Sequence, residues 1–139
     1  MEIETDIKKR GNGKSVLVVD DNASMRKTIA AAFLSNGFKT CAEAENGREG
    51  IELAKQLNPD VISLDLSMPV MNGLEAASEL RRIFPNTPII LLTLYADALP
   101  NTIASKAGVS FVLSKTVPIN ALLDKAHELM GDKPKFVAT

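Results

Sequence analysis

Val16-Leu-Val-Val19 runs directly into Asp20-Asp21. Four consecutive apolar residues, mostly β-branched, leave no polar face, so the run reads as a strand covered on both sides rather than one half exposed to water. Downstream, Met25, Ile29, Ala32 and Phe33 recur at spacings of four and three, the mark of an amphipathic helix. Asn36-Gly37 stops that helix, glycine being suited to a left-handed helix end. Phe38 to Ala44 reads as a second, weaker strand, and Asn46-Gly47 as a turn. Ile51, Ala54 and Leu57 mark a second helix, closed before Pro59.

The unit repeats. Val61 to Leu64 is a third strand, and Leu74, Ala77, Leu80 and Phe84 form the next helical stripe. Pro88 to Leu92 is a fourth strand. Pro100 to Ala107 is a helix with proline in its first turn and Gly108 just past its end. Phe111 to Leu113 is a fifth strand, and Pro118 to Met130 a last helix with Leu122, Ala126 and Leu129 inward. Five strand–helix pairs give an α/β fold, a doubly wound five-stranded parallel sheet with helices on both faces. The expected strand order is the flavodoxin-like 2-1-3-4-5.

The chain has 139 residues, which suits one domain, and 45% of them are hydrophobic, enough for a sizeable core. A net charge of −1 gives no basic excess, which argues against direct contact with nucleic acid or an anionic membrane surface. Cys41 is the one cysteine, so no internal disulfide forms, as a reducing cytoplasm permits. Met1 to Arg10 lacks the apolar run of a signal peptide, and no stretch approaches the ~20 apolar residues of a membrane span. We expect residues 1–13 to be a flexible extension, 14–130 the folded domain, and 131–139 a tail or linker stub.

In doubly wound sheets, ligands bind outside the carboxyl ends of the strands. Asp20 and Asp21 follow the first strand, Asp65 the third, Thr93 closes the fourth, and Lys115 lies just past the fifth. Strands one, three, four and five adjoin in the expected order, so these groups should converge. Three carboxylates against one ammonium leave an excess of negative charge. Two carboxylates ~4 Å apart repel by about 4 kcal/mol at an effective dielectric near 20, so the cluster calls for a counterion or for protonation. Mg²⁺ prefers such oxygen ligands, and a cation beside a carboxylate, a lysine and a hydroxyl suits phosphoryl transfer.

Val18-Val-Asp-Asp-Asn22, Asp65-Leu-Ser-Met-Pro-Val-Met-Asn-Gly73, Leu91-Leu-Thr93 and Ser114-Lys115 together resemble the receiver domain of two-component response regulators, over roughly Lys14 to Met130. The resemblance implies that Asp65 is the phosphoacceptor. Asp21 would bind Mg²⁺ directly, Asp20 largely through water, and the Ser67 carbonyl would be a further ligand. Lys115 would pair with Asp65 and then with the phosphoryl oxygens. Thr93 would turn its hydroxyl toward the phosphoryl group and draw the next loop inward, reshaping the surface of the fourth helix, fifth strand and fifth helix. The donor would be a sensor histidine kinase, a phosphotransfer protein or a small acyl phosphate. The output would be a downstream effector or an output domain beyond this chain. The sequence is open on a homodimer through the last two helices or through the first and last.

The chain departs from that family at three places. Leu94 stands directly after Thr93, where the family usually has a small residue, and Tyr95 follows. The family's aromatic switch position, three before the lysine, is Val112; Phe111 lies one earlier, on the other face of the strand, which leaves Tyr95 as a substitute ring. Lys115 is followed by Thr116 rather than by proline, so cis or trans geometry is open there.

Taken singly, each site residue has an ordinary explanation. Asp-Asp before a helix is what an N-cap looks like, Asp65 suits a loop, Lys115 a solvated surface and Thr93 a strand. Their joint placement at four strand ends weighs against coincidence. His127 falls off the apolar stripe of its helix and reads as a surface residue, and Cys41 as packing. No Gly-x-Gly-x-x-Gly or Walker-type loop follows a strand. Two other functions fit part of the pattern: a pseudo-receiver that binds partners without phosphorylation, and a haloacid-dehalogenase-like phosphohydrolase. The latter tends to carry a second aspartate two residues after the nucleophile, where this chain has Ser67. A self-phosphorylating switch, not an enzyme with a separate substrate, is therefore expected. If Leu94 narrows the approach to Asp65, Leu94→Ala will speed phosphorylation by small acyl phosphates; an unchanged rate in a stopped-flow assay sinks that reading.

Overall fold

The computed structural model describes residues 13–131. The expected extension and tail lie outside the described residues except for Gly13 and Gly131. Five strands form one parallel sheet: β1 (Ser15–Val19), β2 (Thr40–Ala44), β3 (Val61–Asp65), β4 (Ile89–Thr93) and β5 (Phe111–Ser114), ordered β2-β1-β3-β4-β5. The helices are α1 (Ala23–Ser35), α2 (Gly47–Leu57), α3 (Gly73–Ile83), α4 (Asn101–Lys106) and α5 (Ile119–Leu129). A 3₁₀ turn at Ala96–Ala98 precedes α4, whose N-cap is Pro100 and whose C-cap is Ala107, the bounds that the sequence pattern predicts.

Burial divides by strand parity, as two covered faces require. Leu17, Val19, Ile62, Leu64, Ile89 and Leu91 pack against Ile51 and Ala54 of α2 and Ala76, Ala77 and Leu80 of α3. Val16, Val18, Val61, Ile90 and Leu92 pack on the other face against Ile29 and Phe33 of α1 and Leu122, Leu123 and Ala126 of α5. Each fully buried leucine of this kind contributes roughly 2 kcal/mol through removal from water.

The helix starts hold the turns at the carboxyl rim. Asparagine caps the first three. Asn22 accepts from the Met25 N–H at 2.9 Å, Asn46 from Glu49 at 2.8 Å, and Asn72 from Glu75 at 2.9 Å. Glu75 returns the bond to the Asn72 N–H at 3.0 Å, completing a capping box. Because Asn22 caps α1, neither Asp20 nor Asp21 is its N-cap.

Register then sets the rim. Val19 of β1 pairs with Leu64 of β3, which brings Asp20 level with Asp65. Asp65 pairs with Leu92 of β4, and Thr93 with Ser114 of β5, so Thr93 and Lys115 stand just above it. The loop after Asp65 is pinned by Leu66 N–H to Leu92 O at 3.0 Å and by Gly73 N–H to Leu66 O at 2.8 Å. Within it, Met71 N–H bonds Pro69 O at 2.7 Å across Val70, whose φ is +70°. That is a γ-turn of the strained hand, unusual for an exposed β-branched residue.

Gly73 explains the end of the same loop. A Cβ there would lie 2.4 Å from the Asp65 carbonyl oxygen and 2.8 Å from Leu66 Cα, both backbone atoms that cannot swing away. Gly73→Ala is expected to destabilise the fold by about 2 kcal/mol and to displace Asp65; an unchanged urea midpoint would contradict this packing.

Candidate functional site

Lys115 is the hinge of the rim. Its Nζ lies 3.0 Å from Asp65 Oδ1 and 3.2 Å from Asp20 Oδ2, and its own N–H donates to the Thr93 carbonyl at 3.0 Å. The two carboxylates are almost wholly buried, at 1% exposure for Asp20 and 3% for Asp65, whereas Asp21 is exposed. Oxygens of Asp20, Asp21 and Asp65 all lie within 4.8 Å of one another.

Asp20 is fixed on nearly every side. Its N–H donates to Ala44 O at 3.0 Å, its Oδ1 accepts from Asn22 N–H at 2.9 Å, and its carbonyl accepts from Arg26 Nη1 at 2.7 Å. Its Oδ2 is buried and, although close to the Lys115 ammonium, receives no hydrogen bond of good geometry. That oxygen therefore rests on a single ion pair, and a divalent cation beside it would supply the charge that the buried cluster lacks. The donor set, three carboxylates, is made of the hard oxygens that Mg²⁺ takes.

The same crowding acts on protonation. Burial pushes the Asp65 carboxyl up to about 6; the hydrogen bond from Lys115 works against this, and the negative charges of Asp20 and Asp21 add to it. For Lys115, burial pulls the ammonium down, but the hydrogen bond to Asp65 and the charges of Asp20 and Asp65 outweigh it, so the group is raised and stays protonated.

Thr93 is buried, and its hydroxyl oxygen accepts from Tyr95 N–H at 3.0 Å, which leaves its proton free to point elsewhere. Ser67 is exposed in the loop directly after Asp65. Leu94 and Tyr95 both stand in solvent at 61% and 67% exposure, so the tyrosine ring packs on nothing large in this state. Phe111 does lie on the face opposite Val112: its ring sits under Lys125 of α5, 4.1 Å from Nζ, while Val112 joins the core beside α2 and α3. The Lys115–Thr116 bond is trans.

Two residues depart from expectation or escaped it. His127 is not simply at the surface: it is half-buried, its ring tilted on Phe38 at 5.6 Å, beside the cluster formed by α1 and α5. It stands apart from the acidic cluster. Arg26 was not anticipated at the site; its position four residues after the capping Asn22, on the first turn of α1, was the available signal.

Fold and site together define a doubly wound signalling-type domain with an acidic, lysine-clamped aspartate at its carboxyl rim. The chain belongs to the response regulator receiver domain family, whose model matches residues 16–127. It is 41% identical to the chemotaxis protein CheY of Thermotoga maritima over 96 residues, covering 69% of this chain and 80% of that one. Among solved structures it is similar to the Vibrio cholerae chemotaxis protein CheY4, with a TM-score of 0.78 and 29% identity, covering 84% of this chain and 98% of that one. It is also similar to the Thermotoga maritima response regulator TrrA in complex with Mg²⁺ and BeF, with a TM-score of 0.76 and 30% identity, covering 84% and 98%. It is thus a receiver domain of two-component signalling. No helix among the described residues is long and apolar enough to cross a membrane.

The raised Asp65 carboxyl has a consequence for stability. With a folded value near 6 against an ordinary 3.8, the unfolded chain loses this proton first as pH rises. The metal-free protein therefore holds this contribution fully below pH 4 and loses it as pH climbs through 6. Asp65→Asn, which cannot ionise, is expected to gain on the wild type by about 2 kcal/mol between pH 4 and pH 7 in EDTA; parallel melting curves at both pH values would contradict it.

Proposed function

We propose that Asp65 is the phosphoacceptor and that it receives its phosphoryl group from a phosphohistidine of a sensor histidine kinase or phosphotransfer protein, or from a small acyl phosphate. The observation that carries this is the Lys115 ammonium 3.0 Å from Asp65 Oδ1 inside the acidic cluster. A carboxylate held by one ammonium and flanked by an open cation site is a nucleophile whose charge is managed from both sides.

Mg²⁺ would be held by Asp20, Asp21, Asp65 and the Ser67 carbonyl, and when bound it would neutralise charge on the phosphoryl oxygens. The chain's own groups do the rest. An Asp65 oxygen attacks phosphorus; the bond from phosphorus to the donor imidazole nitrogen breaks, and its electron pair stays on that nitrogen. At pH 7 the ionised form of Asp65 predominates, so no separate base is required. Lys115 then follows the new charge from the carboxylate to a phosphoryl oxygen. Thr93, whose hydroxyl oxygen already holds Tyr95 N–H, turns its free proton toward the same group. Because the two are tied, Leu94 and Tyr95 move with it, and the change reaches the α4–β5–α5 surface, where a downstream effector or an output domain reads it.

The folded unit for this switch is residues 14–130, and its compartment the cytoplasm. Its chemistry ends with hydrolysis of its own aspartyl phosphate; no other substrate is assigned to it. The test is an intact mass spectrum after incubation with Mg²⁺ and acetyl phosphate. One phosphoryl group is expected on the wild type and none on Asp65→Ala. Addition to both would move the acceptor elsewhere, and addition to neither would favour a phosphorylation-independent interaction module.

A further inference from the structure

Strand β2 ends at Ala44 and places no side chain in the acidic cluster. It nevertheless grips the site twice. Ala44 O holds the Asp20 N–H at 3.0 Å. Next to it, Glu43 Oε1 receives Arg26 Nε at 3.2 Å, and the same guanidinium reaches on through Nη1 to the Asp20 carbonyl at 2.7 Å. The Arg26 side chain is largely buried, at 14% exposure, so this is a packed bracket rather than a loose surface pair. Glu43 offsets its charge, so the bracket adds no net cation beside the aspartates.

The Asp20 carbonyl belongs to the peptide that joins Asp20 to Asp21. Holding that carbonyl fixes the peptide plane, and the plane sets where the Cα–Cβ bond of Asp21 points. Asp21 needs such help: it is exposed, whereas the Asp20 side chain is locked by Asn22 and Lys115. We propose that Arg26, seated on Glu43, is a positioning residue that aims Asp21 at the cation by fixing the Asp20–Asp21 peptide. This rests on the proposed cation site. It makes the edge strand part of the site at one remove, as groups behind metal ligands commonly are.

The competing explanation, a through-space field, has the opposite sign. An arginine near a cation site repels the cation, so its removal alone would tighten binding. Positioning predicts weaker binding. Lys27 supplies the control, since it carries the same charge and reaches the same Glu43 at 3.4 Å, but is exposed and makes no bond to Asp20.

The experiment is a Mg²⁺ titration of the full chain followed by backbone amide shifts, with melting curves, on wild type, Arg26→Met, Arg26→Lys and Lys27→Met. Arg26→Met is expected to raise the Mg²⁺ Kd about tenfold. Arg26→Lys should weaken it less, because one ammonium cannot serve both the Asp20 carbonyl and Glu43. Lys27→Met should leave it equal or tighter. A folded Arg26→Met with equal or tighter affinity overturns the proposal; if that variant does not fold, Arg26→Lys decides, and wild-type affinity there overturns it. A wild type that binds no Mg²⁺ would remove the cation site itself and this role with it, an outcome distinct from the loss of the bracket alone.

Discussion

The site depends on one ammonium placed between two buried carboxylates. Asp20 and Asp65 come level because β1 and β3 are neighbours in register, and without Lys115 their repulsion in a dry setting would oppose the sheet that creates it. Lys115 does not cancel the cluster. It pairs with both carboxylates, yet Asp65 stays harder to ionise than an ordinary aspartate. In the proposed function, a divalent cation and a phosphoryl group would each meet that unfinished balance in a different way.

The scaffold keeps this balance rigid. Asparagine caps start α1, α2 and α3, so the turns that leave β1, β2 and β3 are fixed by side chains rather than left to solvent. Gly73 allows α3 to begin in contact with the backbone of Asp65 and Leu66, and the main-chain bond from Leu66 to Leu92 ties that loop to β4. Lys115 in turn hangs from the Thr93 carbonyl. Nucleophile, ammonium and hydroxyl are therefore connected through backbone bonds as well as through their side chains. A change at one has a short, stiff route to the others.

The departures from the family pattern gather on the output side of the site. Leu94 and Tyr95 are exposed on the loop after β4, Val112 fills core where the family usually has its aromatic switch residue, and Phe111 covers the opposite face beneath Lys125. The acidic triad and Lys115 are unaffected by any of these. In the proposed switch, what is distinctive here thus lies on the side that would transmit the signal rather than among the carboxylates and Lys115.

The fold was legible because period and punctuation agreed: continuous apolar runs could only be strands covered on both faces, and each was followed by a helical stripe. Strand β2 was drawn two residues too long, because Phe38 is apolar yet packs on Phe33 and His127 from the preceding turn. Asp20, Asp21, Asp65, Thr93 and Lys115 were legible for the same reason, since a parallel sheet sends the residue after each strand to a common rim. What the chain order does not contain is distance. The contacts of Lys115 with Asp65 and Asp20, the ring contact of His127 with Phe38 and the reach of Arg26 from Glu43 to the Asp20 carbonyl are set by side-chain directions that depend on how the helices and loops lie against the sheet. Sequence by itself determined which chemical groups meet, because periodicity and connectivity are local. Only the tertiary structure decided which of them touch and which are left unsatisfied, because packing closes those last ångströms.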